Sequence, residues 1–154
     1  MNLSLRGIYA LRALQVLGEN YDPNKVIQIK VISKQQNIPP RFLEQILNDL
    51  KSAGFVESRR GLTGGYRLAR RPEDITLARI IRHVEGALAP VGCVSKHFYR
   101  KCSCPDERQC AIRSVMKEVR DSIVAILEKV TVAVLCNRAR KLRVEPLQSL
   151  DYVI

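Results

Sequence analysis

The feature that most constrains the fold is an amphipathic helix followed by a glycine-rich hairpin. From Arg41 to Ala53, apolar residues recur at helical spacing, so they fall on one face. Pro39-Pro40 suits the first turn of that helix, and Gly54 suits its C-cap. A shorter helix is predicted from Lys30 to Asn37, immediately before it. Two short helices joined by a tight turn form a helix-turn-helix motif.

The hairpin begins directly after Gly54. In residues 55–68, two short apolar arms flank a basic, glycine-rich tip that contains Arg59 and Arg60, which is typical of a β-hairpin wing. The alternation at Ile27–Ile29 adds a possible short strand. A first helix over Leu3–Leu17 and another that starts at Thr76 and ends at Gly86 complete a predicted head at 1–86. The predicted fold class is mostly α, a winged helix-turn-helix with a long C-terminal dimerisation helix.

Charge indicates the partner of this head. Lys and Arg number 26 against 15 Asp and Glu, a net charge of +11, which predicts an anionic partner. We expect double-stranded DNA rather than a membrane, because no apolar run reaches the ~18–20 residues of a spanning helix. The start of the chain lacks a signal-peptide pattern, so we expect a cytoplasmic protein. The predicted DNA-binding residues of the polar helix face and wing are Arg41, Glu44, Gln45, Asn48, Arg59, Arg60 and Tyr66.

The second half of the chain changes character. Residues 87–110, here named the cysteine loop, contain four cysteines. A helix is predicted over about Ala111–Val130, in which apolar residues alternate in steps of four and three, as in a heptad pattern. This apolar seam consists of Ile112, Met116, Val119, Ile123, Ile126 and Val130, with Val115 and Leu127 widening it. Residues 111–140 are therefore predicted to dimerise, and 141–154 to form a tail.

Several motifs resemble one family. They are Arg41-Phe-Leu-Glu-Gln-Ile-Leu, Ala53-Gly-Phe-Val and Arg60-Gly-Leu-Thr-Gly-Gly-Tyr-Arg-Leu-Ala-Arg. Together they resemble the signature of the Rrf2 family of bacterial winged-helix regulators. The resemblance implies a dimeric transcription regulator, and many members carry an iron–sulfur cluster. It also implies that Glu44 reads DNA and that Arg60 enters the minor groove. Arg41 stands where family members have a serine, so the operator sequence can differ.

Thiolates bind soft or borderline metals, and the cysteine loop can supply several. The resemblance implies three cluster ligands, Cys93, Cys104 and Cys110. Some relatives add a histidine at the position of Arg113, and others an acidic residue at the position of Ile8; neither residue can ligate here. The fourth ligand is therefore Cys102, His97 or a group from the other subunit. A cluster with two irons is expected rather than four.

Three alternatives remain open at this stage. The four cysteines could hold zinc or act as a thiol switch without a metal, and a clusterless regulator could leave them idle. Cys136 lies on an apolar stretch and is expected to be a buried structural thiol. An enzyme is not expected, since there is no Ser-His-Asp set and no phosphate-binding loop before a strand. The predicted function is a DNA-binding repressor or activator controlled by a cluster or by cysteine redox state.

Overall fold

The computed structural model describes residues 3–144. Its regular elements, in chain order, are helix α1 (Leu5–Glu19), α2 (Ile29–Gln36), α3 (Pro40–Ser52), strands β1 (Val56–Arg59) and β2 (Gly65–Leu68), and helices α4 (Leu77–Glu85), α5 (Ala111–Lys129) and α6 (Val132–Val144). Short 3-10 turns lie at Pro72–Asp74, Gly92–Val94 and Glu107–Gln109. The mostly α class and the winged helix-turn-helix are confirmed. In the described range, no helix is both long and apolar enough to cross a membrane.

The helix-turn-helix consists of α2 and α3. Asn37 ends α2 in the left-handed conformation, with φ 50°, and the chain enters α3 through Pro39 and Pro40. Asparagine tolerates this conformation because its side chain is short and polar. The predicted apolar face of α3 is buried against α1, whose Leu14 and Leu17 are also buried. This packing leaves the opposite, polar side of α3 facing outward.

The wing is the antiparallel pair β1–β2, which runs in register from Val56–Leu68 to Arg59–Gly65. The predicted strand at Ile27–Ile29 is wrong, because only Ile27 bridges to the wing and Ile29 already begins α2. The two hydrogen bonds of that bridge join the backbones of Ile27 and Tyr66, at 2.8 and 2.9 Å. Glycine at position 65 permits it, since a Cβ there would lie 2.4 Å from the Ile27 carbonyl oxygen.

Helix α6 returns to the head. Helix α5 ends at Lys129, and the non-helical residues Val130 and Thr131 connect it to α6, which runs back along α1. Val132 and Cys136, one turn apart, are buried in the same core as α1. The segment 111–140 therefore contains two helices, α5 and most of α6, rather than one. The predicted tail overlaps the end of α6, and its residues from 145 onward lie outside the described range.

Gly18 provides a test of this α1–α6 contact. A Cβ at Gly18 would lie 2.6 Å from Val132 Cγ1 and 2.8 Å from Cys136 Sγ. We expect Gly18→Ala to lower the free energy of unfolding by up to about 2 kcal/mol, because overpacking costs ~1–3 kcal/mol and the gain in helix propensity returns only ~1 kcal/mol. Chemical denaturation measures this, with the exposed helical change Ser52→Ala as control. A stabilised Gly18→Ala would show that α6 does not pack here.

Candidate DNA-reading surface and cysteine loop

The polar side of α3 is exposed and continuous. Four of the predicted DNA-binding residues lie on it, and we name these four the reading face: Arg41, Glu44, Gln45 and Asn48. Lys51 lies one turn beyond Asn48, and its Nζ donates to Ser58 Oγ of β1 at 2.7 Å. This contact ties the reading helix to the wing. The sequence analysis did not single out Lys51, although its helical spacing from Asn48 places it on the same side.

The wing extends from the same side of the head and carries exposed positive charge. Arg59 and Arg60 are both exposed, and among residues 3–144 neither forms an ion pair. Gly61, with φ 108°, makes the turn that follows them, and Leu62 at the tip is fully exposed. The Gln28 side chain donates to the Leu62 carbonyl at 3.3 Å and so links the tip to α2. Both arginines are therefore free to contact a phosphate backbone or a groove.

Tyr66 connects the wing to the reading face. Its side chain is half-buried, and burial raises the pKa of its phenol, with the nearby Glu44 carboxylate raising it further. The phenol therefore keeps its proton at neutral pH and remains a hydrogen-bond donor. Together with the Lys51–Ser58 hydrogen bond, the nearness of Glu44 to Tyr66 indicates that the wing lies beside the reading face.

A charged cluster behind the reading face holds α3 in place. Asp49 Oδ2 lies 3.0 Å from an Arg6 guanidinium nitrogen on α1 and 3.2 Å from His83 Nε2 on α4. The His83 ring also packs at a tilt against Phe55, with centroids 5.9 Å apart. His83 is not among the predicted site residues. No local pattern links positions 6, 49 and 83, because only the tertiary fold brings them together.

In the cysteine loop, Arg113 links two of the predicted ligands. Cys93 is buried, and its carbonyl accepts from Arg113 Nε at 3.3 Å. Cys110 caps the start of α5, where its Sγ accepts from the Arg113 backbone N–H at 3.4 Å. Arg113 stands at the position where some relatives have a histidine ligand. It contacts both cysteines, but its guanidinium cannot bind a metal.

The other two cysteines of the loop are bonded to each other. The Sγ atoms of Cys102 and Cys104 form a disulfide. Beside them, the Glu107 carboxylate accepts from the Tyr99 hydroxyl at 2.8 Å and from the Cys102 backbone N–H at 3.3 Å. The Tyr99 hydrogen bond is the largest cause that lowers the pKa of Glu107, so this carboxylate stays charged. It also lies 3.8 Å from Arg113, which extends the network to the Cys93 carbonyl and to the Cys110 thiol.

The cysteine loop supplies the donor type that a cluster needs, but not an assembled site. Thiolates are the usual ligands of iron–sulfur clusters. Among residues 3–144, no three His, Cys, Asp or Glu side chains converge on a point that could hold a metal ion. His97 is exposed, and Ile8 offers no donor atom. Binding a cluster would therefore require that the Cys102–Cys104 disulfide be reduced and the loop rearranged.

Cys136 is separate from these groups. It is buried beneath α1, and its thiol donates to the Gln15 carbonyl at 3.4 Å. Burial, with Glu19 nearby, raises the pKa of Cys136 to about 11. Because the thiolate is the nucleophile and metal ligand, a thiol with this pKa is inert at neutral pH. Its expected role as a buried structural thiol agrees with this environment.

Helix α5 presents two apolar stripes about a quarter of a turn apart. One stripe, with Val124 and Leu127, packs on Ala78 and its neighbours in the head. Leu127 therefore does not widen the apolar seam as predicted, since it packs within its own chain. Three residues of the seam are exposed, Ile112 (71%), Ile126 (64%) and Val119 (39%), whereas Met116, Ile123 and Val130 are half-buried.

A helix-turn-helix with a basic wing and a polar reading face defines the winged-helix class of DNA-binding proteins. Residues 3–138 match the sequence profile of the Rrf2 family, which is described as an iron-dependent transcriptional regulator. The chain belongs to the Rrf2 family. The relatives that it matches are transcription regulators, and the family is not known to contain enzymes.

Individual relatives agree with this assignment. The chain is 39% identical to a putative rrf2-like transcriptional regulator of Rhodobacter capsulatus over 126 residues, which cover 80% of this chain and 84% of that protein. Its fold is similar to that of CymR, the global cysteine regulator of B. subtilis, with TM-score 0.75, 28% identity, and coverage of 90% of this chain and 98% of the other. It is similar also to T. potens IscR, with TM-score 0.73, 29% identity, and coverage of 95% and 93%.

Proposed function

We propose that this protein is a cytoplasmic, dimeric, sequence-specific DNA-binding regulator whose affinity for DNA is set by its cysteine loop. The observation that carries the proposal is the exposure of the reading face and of the two wing arginines, with α3 and the wing joined by the Lys51–Ser58 hydrogen bond. Such a surface suits a helix in the major groove and arginines at the flanking minor groove. Membership of a family of transcription regulators supports the same role.

The residues of this surface have distinct proposed roles. Arg41 donates to guanine or to a phosphate, while Gln45 and Asn48 pair with adenine. Glu44 accepts from the amino group of cytosine, since a carboxylate near the backbone would otherwise be repelled by phosphate. Arg60 enters the minor groove. Tyr66, whose phenol stays protonated, donates a hydrogen bond to the DNA phosphate backbone where α3 meets the wing. Phosphate contacts position the head, and base contacts provide the specificity.

Duplex binding is the direct test of this function. We expect the protein to bind a pseudo-palindromic operator with half-sites ~34–36 Å apart. The affinity should fall steeply with salt, because each neutralised phosphate contributes about −0.9 to the log–log slope. Fluorescence anisotropy over a salt series measures this. Equal affinity for operator and random DNA, or an affinity independent of salt, would contradict the proposal.

Glu44 tests base reading separately from general affinity. We expect Glu44→Ala to relax the base preference at one operator position, by ~1–3 kcal/mol of discrimination. Arg60→Ala is expected instead to weaken binding to all sequences, because it removes a groove charge. Binding selection from a randomised DNA library measures both profiles. A Glu44→Ala profile identical to that of the unaltered protein would mean that the carboxylate is only solvated.

The uncovered seam of α5 supports the dimer. In a monomer, Ile112, Val119 and Ile126 would expose apolar area along one line of the helix. Burial of such area stabilises by about 25 cal/mol per Å², which favours packing against a second copy. A symmetric pair also presents two heads to a pseudo-palindrome.

The cysteine loop is the proposed sensor, with Cys93, Cys104 and Cys110 as ligands of an iron–sulfur cluster and Cys102, His97 or the partner supplying the fourth. The cluster is proposed to have two irons rather than four, and when bound it supplies redox or oxygen sensitivity. The family includes cluster-bearing sensors, and its profile is described as iron-dependent. Basic loop residues, among them Lys101 and Arg108, would offset the negative charge of a thiolate-ligated cluster. Because Cys110 caps α5, a change in its bonding would shift α5 and the spacing of the heads.

One observation favours a second candidate, a metal-free thiol switch. Cys102 and Cys104 are already joined in the described conformation. Reduction would free two thiols beside Glu107, whose hydrogen bond to the Cys102 backbone positions that turn. In this candidate the disulfide itself reports the redox state, and neither iron nor zinc is needed.

A further inference from the structure

A cavity that neither the DNA surface nor the thiols explain lies between α4, the cysteine loop and α5. Its volume is about 180 Å³. A cavity of ~150 Å³ holds a molecule of the size of benzene, so this one accommodates a small organic compound. None of the five cysteines and no residue of the reading face lines it.

The polar side chains that line the cavity are basic or neutral. Arg82 comes from α4, Lys96 from the cysteine loop and Arg120 from α5, and no acidic residue within the described range joins them. Arg120 is only 7% exposed, which is unusual for an arginine. Its guanidinium donates to the Val94 carbonyl and to the carboxylate of its neighbour Asp121, and these partners hold it in place from outside the lining.

Apolar side chains provide the rest of the wall. Leu88 is buried at the base, Val124 projects from α5, and Phe98 is half-exposed. A concave, largely apolar wall with a few convergent polar groups is the usual character of a small-molecule site. Arg120 Nε and Nη2 already donate to Asp121, and Nη1 donates to the Val94 carbonyl. Within residues 3–144, two of its five N–H groups remain, one on each terminal nitrogen, and this planar pair matches the two oxygens of a carboxylate.

We propose that this cavity binds a small organic carboxylate that has a compact apolar body. The carboxylate contacts Arg120 and Lys96, and the apolar body packs against Leu88 and Val124. Lys96 lies in the exposed part of the cysteine loop and adds positive charge to the cavity, while Arg120 determines the orientation of the bound carboxylate. The lining therefore specifies a carboxylate and an apolar body, and a free metabolite that has both would fit the cavity.

The site is connected to the reading face through α4. Arg82 Nη1 contacts the Glu128 carboxylate of α5 at 2.5 Å, so an anion in the cavity competes for that arginine. The next residue, His83, contacts Asp49 on the reading helix at 3.2 Å. An occupant therefore alters the α4–α5 contact and with it the support of α3. This second step, from occupancy to DNA affinity, rests on the proposed function.

Titration of the full chain with benzoate tests the site, with benzamide as the neutral ligand of the same shape. We expect saturable shifts of the Leu88 and Val124 methyl NMR signals with benzoate. Benzamide should bind at least about tenfold more weakly than benzoate. Lys96→Gln should weaken benzoate binding several-fold without affecting the fold, since Lys96 is exposed. Arg120→Lys should weaken it further, because lysine lacks the planar donors. The matched control Lys117→Gln, an exposed lysine of α5 outside the cavity, should bind like the unaltered protein.

Two results would overturn the site: no saturable methyl shift, or equal affinity for benzoate and benzamide. The effector step is tested by repeating the operator titration with saturating benzoate, where we expect about a fivefold change in DNA affinity. Benzoate binding with unchanged DNA affinity would overturn the effector step alone. Failure to bind any operator, either with or without benzoate, would overturn the proposed function and leave the carboxylate site intact.

Discussion

Replacing Ile126 with glutamate is expected to convert the proposed dimer into folded monomers. Ile126 is 64% exposed in the single chain, so a charge there does not disturb the head. In a symmetric interface the same change would bury two unpaired carboxylates, and one such charge costs ~3–5 kcal/mol. Since ~1.4 kcal/mol is a factor of ten, the dissociation constant of the dimer should rise at least about a hundredfold. Sedimentation velocity measures the loss of dimer, and circular dichroism checks the fold.

Ala125→Glu is the matched control. Ala125 is also exposed on α5 but lies about a quarter of a turn from Ile126, outside the apolar seam. This variant should remain dimeric and keep operator affinity, whereas Ile126→Glu should lose the contribution of its second half-site. If Ile126→Glu stays dimeric at micromolar concentration, the seam is not the interface and another surface must join the subunits.

The second large effect concerns the cluster. After anaerobic reconstitution, Cys110→Ser is expected to reduce bound iron and visible absorbance to background. Serine is a preferred N-cap, so it keeps the start of α5 while removing the soft thiolate ligand. Cys93→Ala and Cys104→Ala should give the same loss, because a cluster needs each of its protein ligands. Iron analysis and absorbance spectra provide the measurement.

The remaining cysteines serve as control and discriminator. Cys136→Ala should leave the iron content unchanged, since Cys136 is buried in the core, with a pKa of about 11. Cys102→Ala identifies the fourth ligand: loss of iron assigns it to Cys102, and retention assigns it to His97 or to the other subunit. Stoichiometric zinc without iron in the unaltered protein would contradict the cluster. A colourless, metal-free protein whose operator affinity changes on reduction would support the thiol switch.

Much of the head could be predicted because its signals are local. The apolar spacing of α3, the proline entry and the glycine cap each act within a few residues, and the structure has all three. The exposure of the four reading-face residues follows from the same helical period. The strand predicted at Ile27–Ile29 failed because Ile29 already begins α2, so that only Ile27 bridges to Tyr66 of the wing.

The site was predicted less completely where its contacts are distant in sequence. The Asp49 cluster joins three helices, and Arg120 and Lys96 meet around a cavity that no motif indicates. The cysteine set was recognised by spacing and resemblance. Spacing cannot tell which thiols face each other, and the described conformation joins Cys102 to Cys104 rather than gathering the predicted ligands.

The sequence by itself determined the family, the winged helix-turn-helix, the polar face of α3 and the cysteine-rich character of residues 87–110, because periodicity, turn residues and motifs are properties of neighbouring positions. Only the tertiary structure decided that α6 folds back on α1, that Leu127 belongs to the head while Ile126 stays uncovered, and that Arg120 is buried beside a cavity. Burial depends on which surfaces meet, and a helix with two apolar stripes does not specify in its own residues which stripe its own chain will cover.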